Sequence, residues 1–202
     1  MYALVTDNEI TKLISYPKSM VIGDVRYPAK IFQLWSTSEL NAIGIYEVVF
    51  NNSNFKDEKW YINTNQSFAF ADGAVTASYG TATPKAHADT LWTAQDETDG
   101  KGTEGEVATR GLKYNLIQTL KSQVAEILSD TDWYITRNAE KSTAIPSAIS
   151  THRDAVRTKQ ASMETAITNA SDTPALETLY TYTEQSDGSV TRPLGELPTL
   201  ES

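Results

Sequence analysis

Apolar residues alternate with polar ones through the first part of the chain and then change to spacings of three and four further on. The alternating part, residues 1–83, predicts β structure, because successive strand side chains point to opposite faces. Residues 2–5 and 10–14 flank Asp7 and Asn8 and read as a hairpin. Val21, Val25 and Tyr27, with Gly23, Asp24 and Pro28 between or beside them, predict short pieces separated by turns. Ser36 or Ser38 is placed to cap one helical turn through Leu40, and Gly44 to end it in the left-handed region. Residues 45–50 and 60–63 are rich in aromatic and β-branched side chains and predict strands. Asp72 and Gly73 between two alternating runs give the strongest short-range hairpin signal in the chain.

Pro84 opens a stretch of different character, and from Asp96 to Glu106 no residue is apolar. Residues 84–106 are therefore expected to be an acidic linker. Periodicity then becomes helical. Leu112, Leu116, Ile117, Leu120, Val124, Ile127 and Leu128 share one face of a helix expected over 107–130. Leu116, Ile117, Leu120, Val124 and Ile127 form a stripe suited to an interface, and most of it follows coiled-coil spacing. A short helix or turn is expected over 132–140. Pro146 suits a helix start, where its missing N–H costs nothing, and the following helix carries Ile149, Val156, Met163 and Ile167 on one face as far as about Ala170. Pro174 and the residues before it stop that helix. Residues 180–183 and 189–192 flank Asp187 and Gly188 and predict a small second hairpin. The expected class is α+β, with a small antiparallel β domain over 1–83 that docks to a neighbour, an acidic linker over 84–106, a helical hairpin over 107–173 and a β-hairpin tail over 174–202. The polar stretch 195–202 is expected to be held by a neighbouring molecule.

The chain has 202 residues, a size that suits a small β domain joined to a helical module. Its 26 acidic residues exceed its 17 Lys and Arg, giving a net charge of −9. Phosphate binding draws on a surplus of cations, so neither nucleic acid nor an anionic membrane surface is an expected partner. The absence of cysteine rules out disulfides, thiol nucleophiles and Cys-based zinc sites. The start of the chain carries no basic region and too short an apolar run for a signal peptide, and no segment approaches the roughly 18 apolar residues of a membrane span.

Catalytic signals are weak. Asp96, Glu97, Asp99, Gly100 and Glu106 half-match a calcium-binding EF-hand loop, but Gln95 stands at its first position. His87 and His152, the two histidines, fall in different segments and in no metal-binding pair. No nucleophile elbow, P-loop or dinucleotide fingerprint is present. The sequence therefore predicts no enzyme, no catalytic residue, no cofactor and no metal. Trp133, Arg137 and Glu140 lie at helical spacing, so the guanidinium can stack on the indole and pair with the carboxylate, locking the corner between the two long helices. Tyr2, Tyr46, Tyr61, Tyr79, Tyr180 and Tyr182 are better placed for core or interface than for a sugar platform.

The run Thr131, Asp132, Trp133, then Arg137 and Glu140, then Ile145 and Pro146, then Arg153 and Arg157, resembles the C-terminal region of tail and tail-fibre assembly proteins of tailed bacteriophages. The resemblance is clearest from Arg110 to Arg157 and continues through residues 179–183 and 191–194. Tyr27, Pro28, Ile31, Phe32 and Leu40, with the run 44–46, look like a small β domain of phage tail proteins. The resemblance implies a non-enzymatic structural protein of the tail, at the fibre or baseplate, located in the virion and made in the host cytoplasm. Its partners would be other tail or fibre proteins and copies of itself. A fibre assembly chaperone is the alternative, and a glycan-binding receptor module a more distant one. The resemblance carries no catalytic residue.

Overall fold

The computed structural model describes residues 1–200. Among them no helix is long and apolar enough to cross a membrane. The chain divides into two compact units, Met1–Thr83 and Pro84–Ser202. The first carries a curled sheet with two short helices and the second is mainly helical, which makes the protein mixed α+β.

The first unit begins with β1 (Tyr2–Thr6) and β2 (Glu9–Ile14), continues through β3 (Met20–Ile22), β4 (Val25–Tyr27), α1 (Ile31–Leu34) and α2 (Thr37–Ala42), and ends with β5 (Ile45–Asn51), β6 (Tyr61–Ile62), β7 (Ser67–Ala71) and β8 (Ala74–Ser78). Asp7 and Asn8 both have positive φ, as do Asp72 and Gly73. Two-residue hairpin turns that follow strand twist need that conformation, and Asp, Asn and Gly adopt it at least cost. The five-stranded sheet runs β2-β1-β5-β8-β7. It is mixed rather than purely antiparallel, because β5 pairs with β8 in parallel, Val48 opposite Val75. The intervening residues that hold β6 and β7 form the crossover a parallel pair needs. The first half of β5 pairs with β1 and the second half with β8, so the sheet curls until its edge strands β2 and β7 touch.

Alternation along β1 fills both sides of this sheet. Ala3 and Val5 pack with Val48, Val75 and Ala77, whereas Tyr2 and Leu4 lean on a second cluster of Ile14, Met20, Ile31, Phe32, Leu40 and Ile45. Ser36 caps α2 by accepting from the Glu39 N–H while the Glu39 carboxylate accepts from the Ser36 N–H, so both free donors at the helix start are met. Gly44 ends that segment at φ +81°, and a Cβ there would stand 2.5 Å from the Val5 carbonyl oxygen.

The two-residue strand β9 (Thr83–Pro84) straddles the division, and the second unit begins with its Pro84. It then holds β10 (Thr90–Leu91), α3 (Ala94–Thr98), β11 (Val107–Thr109), α4 (Leu112–Ser129), α5 (Asp132–Lys141), α6 (Ser147–Asn169), α7 (Thr173–Tyr180), β12 (Thr183–Glu184) and β13 (Val190–Thr191). The stretch 84–106 is folded in place. β10 pairs with β11, Thr93 and Asp96 form a capping box on α3, and Trp92 lies so close to Gly102 that a Cβ there would enter the indole ring. The core of the unit is built by Leu120, Val124, Ile149, Val156, Met163, Ile167, Leu176 and Leu194, all buried, with α4 packed along α6.

The start of α4 is fixed by the chain before it. The Asp89 carboxylate accepts from the Gly111 N–H at 2.8 Å and from Arg110 at 2.6 Å. The next two N–H groups donate to the carbonyls of Ala86 and His87. Those donors would otherwise be orphaned at a helix N-terminus.

Candidate functional site

Thr131, Asp132 and Arg153 of the Thr131-to-Arg157 run meet at the corner where α4 ends and α5 begins. Thr131 is the N-cap residue of α5 but makes no side-chain cap bond. Its hydroxyl donates back to the Leu128 carbonyl and accepts from Arg153 of α6 at 2.6 Å. The same guanidinium donates to the Leu128 carbonyl at 2.7 Å and to the Asp132 carboxylate at 2.8 Å. Arg153 is 6% exposed. A planar fork reaches a carbonyl, a hydroxyl and a carboxylate together, which a single ammonium does not. Burying the cation is costly, so these partners are what make the position tolerable. The Leu128 carbonyl also lies at the C-terminal end of α4, where a cation meets the negative end of the helix dipole.

The expected cluster on α5 forms in part. Arg137 stacks over Trp133 at 4.6 Å and over Tyr134 at 5.2 Å. Glu140 does not join it, since among the described residues no ion pair connects it to Arg137. Stacking over two rings aims the guanidinium at the aromatic faces rather than along the helix. The corner itself is locked by Arg153, with Thr131 and Asp132, rather than by this stack.

The proposed interface stripe divides. Leu120 and Val124 are each 3% exposed and belong to the core of their own unit, whereas Leu116, Ile117 and Ile127 are half-buried. A single helix face cannot bury the same side chains twice. The apolar surface left for a partner is therefore smaller than the full stripe.

The segment after β13 lies on the helices of its own chain. Arg192 donates to the Gly195 carbonyl, pairs with Glu196 and stacks over Tyr180 and Tyr182, while Tyr182 donates to Glu196 at 2.7 Å. That hydrogen bond to Glu196 raises the Tyr182 hydroxyl pKa, and burial raises that of Tyr180. Leu194 is buried. Beyond it, Leu197 to Leu200 run over the α4–α6 groove beside Ile127, Thr131 and the buried His152, above clefts of about 240 and 430 Å3. The stretch expected to be held by a neighbour is thus seated, as far as Leu200, on its own unit; residues 201–202 lie outside the described residues.

The half-matched calcium loop has another structure. Asp96 caps α3 and shares Lys101 with Asp99, and those hydrogen bonds hold both carboxyls below their ordinary pKa. Among the described residues no group of three metal-ligating side chains gathers. The His87 carbonyl serves the start of α4, and the His152 ring faces the groove. The tyrosines of the first unit are mostly committed to packing: Tyr2 on Phe32, Tyr46 on Phe70, Tyr79 on Phe55, with Tyr61 buried.

Arg153 was legible as one of a pair of arginines, but its partners were not, because Thr131 and Asp132 lie 22 and 21 positions away in sequence. No family model, curated protein or solved structure matches the chain.

Proposed function

We propose that the chain is a non-enzymatic structural component of a bacteriophage tail, at the fibre or baseplate, acting through protein–protein contacts. The observation that carries this reading is the convergence of Thr131, Asp132 and Arg153, three residues of the phage-like run, on one corner in which Thr131 and Arg153 are buried and Asp132 is exposed. A corner of this kind fixes the direction of helices and leaves exposed aromatic surface on α5 that a protein partner can cover. The acidic charge supports solubility before assembly and disfavours contact with nucleic acid.

The test is mass spectrometry of purified mature phage particles with copy number. A fixed count in multiples of three or six supports the reading. Absence from particles, with the chain bound to fibre protein in the lysate, replaces it with an assembly chaperone.

A further inference from the structure

Helix α6 begins without a side-chain cap, because Pro146 stands at its N-cap position. The Pro146 carbonyl accepts from the N–H groups of Ile149 and Ser150. Among the described residues the N–H groups of Ser147 and Ala148 donate to nothing. Donors at a helix start are ordinarily taken up by a capping side chain, by water or by a ligand. Ser147 and Ala148 line a cleft of about 430 Å3 together with Thr151, His152 and Ala155. These positions share one face of α6, and the chain's own Pro198, Thr199 and Leu200 stay in place as the opposite wall.

His152 is a second, independent sign of a site. It is 8% exposed, and among the described residues its ring makes no hydrogen bond. Neither ring nitrogen is sealed from the surface, and the ring lines this cleft and the adjoining one of about 240 Å3. A polar group this deeply buried is normally hydrogen-bonded. Thr151 adds a hydroxyl. Thr98, Thr119, Thr136, Thr165 and Thr178 each donate to the carbonyl four residues back, and Thr151 does not.

We infer that this cleft binds the carboxylate of a small organic acid. The free N–H groups at the start of a long helix attract negative charge, and the His152 imidazole and Thr151 hydroxyl supply further donors beside them. Ala155, Pro198 and Leu200 offer the rest of the molecule an apolar surface. The volume falls within the roughly 300–1,000 Å3 of small-molecule sites. No Lys or Arg lines the cleft, and the chain carries a net charge of −9. A single negative charge suits this donor set, whereas a doubly charged phosphate is better served by Arg or Lys. The inference is independent of the tail reading, because it uses only α6 and the segment opposite it.

The probe is benzoate, titrated into the full chain at constant ionic strength and followed through backbone amide NMR. Saturable shifts of the Ser147 and Ala148 signals are expected. Benzyl alcohol has the ring without the charge, and inorganic phosphate has charge without the ring. Each is expected to bind about tenfold more weakly than benzoate. Ser147→Pro removes one N–H at a helix position that tolerates proline, and Pro146 before it is already extended at ψ 137°. It should weaken benzoate about tenfold, as should His152→Phe, which keeps a ring but no donor. Circular dichroism checks each fold, and if His152→Phe does not fold, Ser147→Pro decides alone. Absence of saturable shifts overturns the site. Benzyl alcohol or phosphate binding as tightly as benzoate overturns it too, as does an unchanged benzoate affinity in folded Ser147→Pro.

Discussion

Arg153 and Thr131, 22 positions apart, meet in a 2.6 Å hydrogen bond that ties α6 to the corner between α4 and α5. Thr131 is itself buried, so the contact is shielded from water. Replacing Arg153 by Ala leaves the Leu128 carbonyl and the Thr131 hydroxyl short of a partner and opens a gap, at an expected cost of about 2–3 kcal/mol. Arg153→Lys is expected to recover less than half of that loss, because an ammonium lacks the planar fork. Denaturant midpoints of the three proteins measure this. A Lys variant as stable as the parent would show that charge, not geometry, is what the corner uses.

Gly111 is a second point where one atom decides. A Cβ there would run into the Ala88 backbone, and its N–H already serves Asp89. Gly111→Ala is expected to destabilise the second unit by about 2 kcal/mol or more, since backbone on both sides has to move. Thermal unfolding followed at the helical band tests it, and an unchanged midpoint refutes it.

Acid should act at the same place. The backbone N–H of Gly111, then Arg110, hold the Asp89 carboxyl below its ordinary value of 3.8. A depressed folded-state pKa stabilises the protein above the unfolded value, and that contribution is lost as pH falls through the folded one. Stability should therefore drop below about pH 4, and Asp89→Asn should flatten part of that drop. Unfolding midpoints between pH 2 and pH 6 decide it; an identical slope in the variant would mean that Asp89 is not involved.

The helical stripe predicts an unequal response. Leu120 is 3% exposed and Ile117 only half-buried. Leu120→Ala should cost about 2–5 kcal/mol and Ile117→Ala clearly less, because only the first leaves a cavity in the core. Equal losses would show that the stripe is buried uniformly.

The sequence by itself determined the elements whose signals are local. Asp7–Asn8 and Asp72–Gly73 specify hairpins because a backbone with positive φ admits few residues. The spacing from Leu112 to Leu128 specifies a helix because apolar residues three and four apart share one side. Together these yield an α+β chain with strands first and helices after. Tertiary structure decided whatever depends on residues distant in sequence. Pairing of β5 with β8 made the sheet mixed, since strand direction is set by the crossover and not by strand composition. Burial of Leu120 and Val124 was decided by the arrival of α6. Arg153 became the lock of the corner, and Glu140 did not, because a guanidinium takes the partners that packing brings to it. Hydrophobic spacing tells which face of an element is buried; only the packed chain tells what covers that face.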